Sequence, residues 1–484
     1  MIYDAIIFGG GVVGTSIFSK LTRIGKKALL VEKENDVALG ASKANSGICH
    51  AGYDCEENSL KARLNVRGCA IMPQICKELS VPFTKCGTYV VGNDLDKLET
   101  LYNRGINNGV KNLKIIKENL TDFIPNLKSD FKYALYAEDA GIVNPYMLTI
   151  AYAEDAVLNG GKIYFNFSAT KINKVDNIYV VSNGEIDIKA NIIINACGKG
   201  YNDIATLIGS ETYPLTFRRG EYFVLEKDTN FVSSPIFPLP TEKGKGILAT
   251  PTTDGNILLG PTADDGEYST KTTALGLRAI KSQISDEFNN IPFNKVIRVF
   301  SGVRVSSGKD FIIEKSKKAE NVINIAGINS PGLTSAPAIA EYVCTLLNFT
   351  LEEKPNLKIR KDYKVPANLR KEYIKQNPKY GKIVCRCEVV SEGEVIDAIH
   401  SPLSPTSVDA IKRRVRCGMG RCQGSFCTTK ICQILSEQTG LKLEEIIKDH
   451  NNSNLMIGDI KETEYFKDSV MAERSSKWNM IMML

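Results

Sequence analysis

The sequence predicts a chain of the α/β and α+β classes, with a parallel-sheet domain at its N-terminus and a small helical domain near its C-terminus. Two observations support this prediction. A strand, a glycine turn and a helix follow one another over residues 3–25, and six of the 13 cysteines fall within residues 385–432. A chain of 484 residues is also long enough for two to four domains.

The N-terminal stretch has the order of a βαβ unit. An apolar run over residues 3–8 fits a buried parallel strand. An amphipathic stretch that ends near Gly25 fits a helix, and a second apolar run closes with Glu32. Between the first strand and the helix lies the pattern G-x-G-x-x-G, formed by Gly9, Gly11 and Gly14.

Each of these residues has a chemical reason to be there. Gly9 permits the tight turn, Gly11 lets the backbone approach a pyrophosphate at the helix N-terminus, and Gly14 allows close helix–strand packing. Glu32 can accept hydrogen bonds from a ribose diol, and it would repel a 2′-phosphate. The sequence therefore predicts a Rossmann-like dinucleotide-binding domain, although this motif alone does not separate NAD from FAD.

A second stretch points to a flavin. The segment "GASKANSGICHAG" (residues 40–52) resembles the flavin-contacting segment of the D-amino-acid-oxidase-like superfamily, and it is most similar to the glycerol-3-phosphate dehydrogenase and L-2-hydroxyglutarate oxidase branches. Further matching stretches extend the resemblance over about residues 1–350, among them "AGINSPGLTSAPAIAEYV" at 326–343. The resemblance implies FAD, held by Gly9, Gly11, Gly14, Glu32, Ser42, Asn45, Ser46, Gly47, Gly332, Leu333 and Thr334.

The same resemblance implies a discontinuous architecture. The FAD-binding domain would comprise about residues 1–79, 146–209 and 309–350, and a β-sheet substrate domain about residues 80–145 and 210–308. The remaining segments are expected to be a linker at 351–380, a small domain at 381–447 and a tail at 448–484.

His50 is the candidate base. The chain has three histidines, and among them only His50 lies in the flavin domain. Oxidation of a secondary alcohol removes a hydride from carbon and a proton from oxygen, and histidine can accept that proton near neutral pH. The alternative is a structural histidine that holds the loop or tunes the flavin, and the sequence does not decide between the two.

Arginines are the candidate anion site. Arg304 matches the arginine that the family uses for the anionic end of the substrate, and a guanidinium pairs bidentately with carboxylate or phosphate. Arg218 or Arg219, close to Tyr222, would add to this substrate-binding site, and Lys309 is a lesser candidate. Many L-2-hydroxyglutarate oxidases carry a histidine where this chain has Leu248, which favours glycerol 3-phosphate over a 2-hydroxy acid.

Three short helices are predicted around the C-terminal cysteines. Ser391 and Glu394 have the spacing of a capping box at the start of the first helix. Ser407 fits the N-cap of the second helix, and Gly440 fits the end of the third.

Four cysteines are the candidate metal ligands. The order C-x-C, 34 residues, C-x-x-x-x-C resembles the bacterioferritin-associated-ferredoxin-like [2Fe–2S] domain. The resemblance implies that the ligands are Cys385, Cys387, Cys422 and Cys427, and that Cys417 and Cys432 are not ligands. Four thiolates suit an iron–sulfur cluster or a structural zinc ion, and the neighbouring flavin favours the cluster.

A flavin domain joined to such a cluster domain resembles the large subunit of anaerobic glycerol-3-phosphate dehydrogenases. This resemblance implies oxidation of sn-glycerol 3-phosphate, with electrons leaving through the cluster to a redox partner subunit or a quinone. A dehydrogenase of L-2-hydroxyglutarate, another 2-hydroxy acid or an amino acid is the first alternative. A non-enzymatic electron-transfer or iron-handling adaptor is the second.

The composition limits the partners. The net charge of +6 is mild and aromatic residues do not alternate with basic runs, so no nucleic acid is expected. Scattered single cysteines and the lack of a signal sequence or of 18 consecutive apolar residues indicate a cytoplasmic protein. The end of the tail, with Trp478, is either a loosely docked terminus or a partner or peripheral membrane contact.

Overall fold

The computed structural model describes residues 1–240, 246–266 and 268–456, so the predicted contact through Trp478 lies outside the described residues. The chain forms two compact units, Met1–Asp362 and Tyr363–Leu484. The segment expected to be a linker is divided between them. In the part of the chain that the structure describes, no helix combines the length and apolar character needed to cross a membrane.

The strands in chain order are β1 Ile2–Phe8, β2 Ala28–Val31, β3 Ile48–Cys49, β4 Phe83–Thr84, β5 Thr88–Gly92, β6 Leu113–Ile116, β7 Tyr133–Ala137, β8 Gly141–Val143, β9 Lys162–Tyr164, β10 Lys171–Val175, β11 Ile178–Ser182, β12 Asp187–Asn195, β13 Thr216–Leu225, β14 Ile236–Pro238, β15 Leu248–Pro251, β16 Ile257–Gly260, β17 Asp264–Asp265, β18 Val296–Ser306, β19 Ile312–Lys315, β20 Val322–Ala326, β21 Ile383–Cys385 and β22 Val390–Ser391. The α-helices are α1 Val12–Arg23, α2 Leu60–Glu78, α3 Leu95–Asn107, α4 Leu120–Phe123, α5 Pro145–Leu158, α6 Tyr201–Ile208, α7 Ala274–Glu287, α8 Gly332–Leu346, α9 Arg370–Gln376, α10 Glu392–Ile399, α11 Val408–Val415 and α12 Thr428–Thr439.

An eight-stranded sheet lies in the larger unit. Its order is β10-β11-β12-β1-β2-β9, with β20 beside β12 and β19 beside β20. Strand β1 is parallel to both β2 and β12, so Phe8 aligns with Val31 and with Asn195. The carboxyl ends of these strands therefore meet at one edge, which is where ligands bind in open α/β sheets.

Alternate residues of β1 enter separate hydrophobic cores on the two faces of this sheet. Ile7 packs with α1, α5 and α8, whereas Ile6 packs with the β10–β11 hairpin and α6. This arrangement confirms the predicted α/β class.

A second, nine-stranded sheet lies in the same unit. Its order is β17-β13-β16-β15-β14-β5-β7-β6, with β18 paired antiparallel to β13. Buried residues of α7, such as Ile280, pack against Leu225 and Leu259 of this sheet. A small sheet with the order β3-β8-β4 contains Ile48–Cys49 of the segment 40–52.

A buried ion pair fixes the end of the larger unit. Arg360 Nε lies 2.6 Å from Glu154 Oε2 of α5, and neither side chain is exposed. Arg360 also donates to the carbonyl of Leu79 over 3.1 Å. The segment before residue 362 is therefore packed into the first unit. Removal of either charge of the ion pair would leave the other charge buried without its partner.

The smaller unit combines the helices α9 to α12 with a two-stranded sheet. Ser391 and Glu394 form the predicted capping box, and Ser407 caps α11 as expected. Gly440 ends α12 in the left-handed region, at φ +75°. Cys385 ends strand β21, and Cys387 lies in the turn that follows this strand.

Candidate active site and thiol cluster

The glycine turn between β1 and α1 has the geometry that a dinucleotide requires. Gly9 has a φ of +105°, a region that side chains disfavour. A Cβ at Gly14 would lie 2.0 Å from the Gly9 carbonyl oxygen, so α1 packs against the turn as only glycine permits. Helix α1 has no acidic residue in its first turn, and its N-terminus can therefore face a phosphate group.

Two side chains hold this turn. Glu32 Oε2 accepts a hydrogen bond from the Gly10 amide over 2.6 Å, and Glu32 Oε1 accepts one from the Glu34 amide over 3.0 Å. Burial raises the pKa of Glu32. Ser42 Oγ accepts from the Val12 amide over 2.9 Å, so the flavin-like segment meets the start of α1.

The segment 40–52 lies against the nine-stranded sheet. Asn45 Oδ1 accepts from the Gly47 amide over 2.8 Å, and Gly47 has a φ of +68°. A Cβ at Gly302 of β18 would lie 2.1 Å from the Ala44 carbonyl oxygen. The predicted cofactor loop is therefore seated directly on a strand of the predicted substrate domain.

Both backbone groups of His50, the amide and the carbonyl, form hydrogen bonds with side chains. Its amide donates to Thr334 Oγ1 over 3.0 Å, and its carbonyl accepts from Asn65 Nδ2 over 2.6 Å. The imidazole is buried, with its centroid 5.7 Å from the Phe237 ring and Nε2 3.4 Å from Ser330 Oγ. Thr334 lies in the first turn of α8, which begins at Gly332, so the two predicted flavin-contacting stretches are adjacent.

Arg304 lies with two other predicted site residues. Burial raises the pKa of Tyr222, while the positive charge of Arg304 and a hydrogen bond with Ser46 oppose that rise. The Tyr222 ring stacks on Phe300 with a centroid distance of 4.7 Å. Arg304 Nη2 is 3.4 Å from the Thr262 carbonyl oxygen. The structure thus joins one cofactor-loop residue to two predicted substrate residues.

The structure separates the two neighbouring arginines. Arg218 is opposite Arg304 in the β13–β18 pairing, so both project from the same face of the sheet. Arg218 Nε forms a 2.5 Å hydrogen bond with Asp265. Arg219 projects from the other face and is buried, with Nη2 3.2 Å from both Glu221 and Asp264.

Sequence reasoning missed Asp264 and Asp265 because their contacts depend on the pairing of β13 with β17. The lesser candidate, Lys309, has an 85% exposed side chain that lies 3.6 Å from Glu56.

Five thiols of the smaller unit lie close together. Hydrogen bonds from the Cys417 and Cys427 thiols lower the pKa of Cys385 well below its ordinary value. The backbone amide of Phe426 donates to Cys422 and lowers its pKa, and the Cys387 thiol also donates to Cys422. The four predicted ligands therefore come together as two pairs, 385 with 427 and 387 with 422.

Cys417 and Cys432 occupy different places. Cys417 is buried beside Cys385 and is a fifth member of the thiol group, which its position in the sequence did not reveal. Cys432 lies on α12 and is buried in the hydrophobic core of the smaller unit.

A buried ion pair, also missed by sequence reasoning, holds the two cysteine-bearing segments together. Arg416 Nε lies 2.8 Å from Glu388 Oε2, and each of the two residues adjoins a cysteine of the group.

The thiol group fits a two-iron cluster. Residues 1–240, 246–266 and 268–456 contain no group of three His, Cys, Asp or Glu side chains placed around a single metal ion. Cys385 contacts Cys417 and Cys427, and Cys387 contacts Cys422. A [2Fe–2S] cluster takes four cysteine thiolates shared between two irons. Gly420 allows the close approach, since a Cβ there would lie 2.3 Å from Cys387 Cβ.

The fold and these two sites define a flavoprotein oxidoreductase that carries a second, thiolate-bound redox centre. The chain belongs to the FAD dependent oxidoreductase family, whose model matches residues 4–346. A second model, described as a BFD-like [2Fe-2S] binding domain, matches residues 383–437. FAD and a [2Fe–2S] cluster are accordingly its cofactors, as the sequence predicted.

Relatives of this family are similar over most of the chain. A glycerol 3-phosphate dehydrogenase of Caloramator mitchellensis is 39% identical over 95% of this chain and 99% of its own length. A glycerol 3-phosphate oxidase of Mycoplasma genitalium is 34% identical over 73% of this chain and 96% of its own. The dithionite-reduced L-α-glycerophosphate oxidase of Mycoplasma pneumoniae, solved with FAD bound, superposes with a TM-score of 0.70 at 31% identity, covering 74% of this chain and 97% of that one.

Proposed function

We propose that this enzyme oxidises sn-glycerol 3-phosphate to dihydroxyacetone phosphate and passes the electrons through its [2Fe–2S] cluster to a partner subunit or a quinone. The observation that supports this most strongly is the similarity to a glycerol 3-phosphate dehydrogenase over nearly the full length of both chains, including the cluster domain. Family membership removes the reason for the adaptor alternative, because that family consists of oxidoreductases.

The chemistry requires a hydride acceptor and a proton acceptor. FAD, when bound, accepts the two electrons as a hydride from the carbon that bears the alcohol. His50 is proposed to take the hydroxyl proton at Nε2, the ring nitrogen next to Ser330. Hydrogen bonds to its amide and carbonyl hold the backbone of His50, and the contact of Nε2 with Ser330 Oγ orients the ring.

The phosphate of the substrate is proposed to bind Arg304. This guanidinium lies beside Tyr222, which in turn bonds Ser46 of the cofactor loop. Arg218 shares the same sheet face, although Asp265 already occupies its guanidinium. Arg219 faces the other side of the sheet, so it is not part of this proposed site.

The two redox centres on this chain carry different numbers of electrons at a time. A hydride delivers two electrons together, whereas a [2Fe–2S] cluster carries one at a time. The cluster domain is therefore proposed to release single electrons to an acceptor outside the flavin site, rather than to support direct transfer to oxygen.

Anaerobic titration tests the substrate assignment. The purified protein is mixed with glycerol 3-phosphate, L-2-hydroxyglutarate or amino acids while the oxidised flavin band is recorded. Glycerol 3-phosphate should bleach the band at lower concentration than the others. Bleaching by L-2-hydroxyglutarate or an amino acid alone would instead assign the enzyme to one of those substrates.

Substitution of Arg304 should weaken substrate binding. Lysine keeps the charge but loses the planar fork, so KM should rise about tenfold, and alanine should raise it about a hundredfold. Steady-state kinetics with an artificial electron acceptor measure both values. The control is Arg278→Ala, which removes an exposed arginine of α7 and should leave KM unchanged. If KM stays constant in both Arg304 variants, the phosphate binds elsewhere and Arg218 is the next residue to test.

A further inference from the structure

The exposed edge of the thiol group is surrounded by apolar and basic side chains. We call the residues Arg386, Cys387, Val389, Phe426 and Lys430 the cluster-edge surface. All five are exposed, with Phe426 at 38% and Val389 at 53%. Val389 also has a φ of +53°, which is unusual for a β-branched residue.

The charge of this surface has one sign. The guanidinium of Arg386 lies 4.2 Å from the centroid of the Phe426 ring, and Lys430 Nζ lies 5.0 Å from it. Glu388 is the sole acidic residue within residues 382–391 and 417–430, all of which the structure describes. Its carboxylate is buried against Arg416, so the exposed part of these segments is positive.

The same surface is directly connected to the thiols. Cys387 is itself an exposed member of the group. The amide of Phe426 donates to the sulfur of Cys422, so the residue that carries the exposed ring is hydrogen-bonded to a predicted ligand. A redox centre that contacts this surface would be closer to the cluster than one that contacts a face covered by the helices.

We infer that the cluster-edge surface docks an acidic one-electron carrier protein, which takes electrons from the cluster. This inference rests on the proposed function, because it assumes that electrons leave the enzyme through the [2Fe–2S] centre. In each encounter one electron passes from the reduced cluster to the oxidised carrier. No proton is transferred, and no covalent bond forms or breaks.

The chemistry of the surface favours a protein over an anionic membrane. Aromatic residues and arginine are enriched in protein interfaces, and small interfaces rimmed by charge are typical of weak electron-transfer encounters. An exposed aromatic ring between two cations provides an apolar centre with a positive rim. A carrier with an acidic rim around its own redox centre is complementary to it, and opposite charge accelerates association.

Two cytochromes serve as probes. The full-length holoenzyme is reduced with dithionite, freed of excess reductant and mixed anaerobically with either the acidic soluble domain of cytochrome b5 or the basic cytochrome c. Dithionite replaces the substrate, so this experiment gives a result even if glycerol 3-phosphate fails to bleach the flavin. The rate of cytochrome reduction is measured at low and high ionic strength.

For cytochrome b5, Lys430→Glu and Arg386→Glu should each lower the second-order rate constant about tenfold at low salt and reduce its dependence on salt. Phe426→Ala should lower it at every salt concentration. For cytochrome c, both charge reversals should raise the rate. Lys171→Glu, an equal charge change on exposed strand β10, is the matched control and should alter either rate less than about twofold.

Iron content and the paramagnetic resonance signal verify that each variant retains its cluster. Lys430→Glu is the variant outside the C-x-C segment, so it does not alter the residue between two predicted ligands. Unchanged rates in variants with intact clusters would overturn the inference. It would also fail if the reversals abolished sedimentation with phosphatidylglycerol vesicles but left the cytochrome rates unaltered. Slower flavin-to-cluster transfer with normal cytochrome b5 reduction would assign the surface to the flavin domain instead.

Discussion

Replacement of Gly11 by aspartate is expected to abolish FAD binding, whereas replacement by alanine should weaken it less, because alanine adds only a Cβ where the backbone approaches the pyrophosphate. A Cβ at Gly11 would meet Ser42 Oγ at 3.4 Å, an ordinary contact, and the backbone φ of −79° suits any residue. A carboxylate at this helix N-terminus would face the pyrophosphate, and juxtaposed like charges cost several kcal/mol. The dissociation constant of FAD should therefore rise by more than about a hundredfold.

This pair of substitutions separates cofactor binding from folding. Gly11 is the N-cap of α1, and aspartate is a favourable N-cap residue, so the variant should fold. The flavin-to-protein ratio after gel filtration measures binding, and circular dichroism of the apoprotein measures folding. A yellow Gly11→Asp protein with a full complement of FAD would show that the pyrophosphate does not bind at this turn.

Serine at any of the four predicted ligands should cost the enzyme its cluster. Cys385, Cys387, Cys422 and Cys427 form the two thiol pairs, and iron in such centres is held by thiolate. Each variant should lose most of its iron and its paramagnetic resonance signal after reduction. Flavin reduction by substrate should survive, because that step occurs in the other unit, while transfer to an external acceptor should fail.

Cys417 and Cys432 provide the matched controls. Cys432 lies in the core of α12, so serine there should leave the signal intact. Cys417 lies outside the ligand spacing of the [2Fe–2S] domain that this segment resembles, so its serine variant should also keep the cluster. Retention of the signal in Cys427→Ser together with its loss in Cys417→Ser would exchange their roles. Zinc in anaerobically prepared protein would remove the electron-transfer role.

The features that the sequence predicted correctly are local ones. The βαβ order is visible because its strand, glycines and acid lie within about 30 residues and have fixed offsets. The Ser391 capping box is likewise encoded over four residues.

The features that were missed depend on pairings between distant parts of the chain. Arg360 meets Glu154 across 206 positions, and this contact has no local pattern. Arg219 pairs with Asp264 because of the register of β13 and β17. The position of Cys417 beside Cys385 depends on how two loops fold together, which spacing alone does not specify.

The close approach of Gly302 to the Ala44 carbonyl leads us to expect a thermodynamic link between the cofactor loop and strand β18. Order that FAD imposes on the loop should then reach β18, the strand that also carries Arg304 of the proposed substrate site. By reciprocity, if FAD strengthens the affinity of the anion site, occupation of that site must strengthen the affinity for FAD by the same factor. The dissociation constant of FAD with and without inorganic phosphate, an anion that does not reduce the flavin, measures this coupling, and equal constants would mean that the two sites are independent.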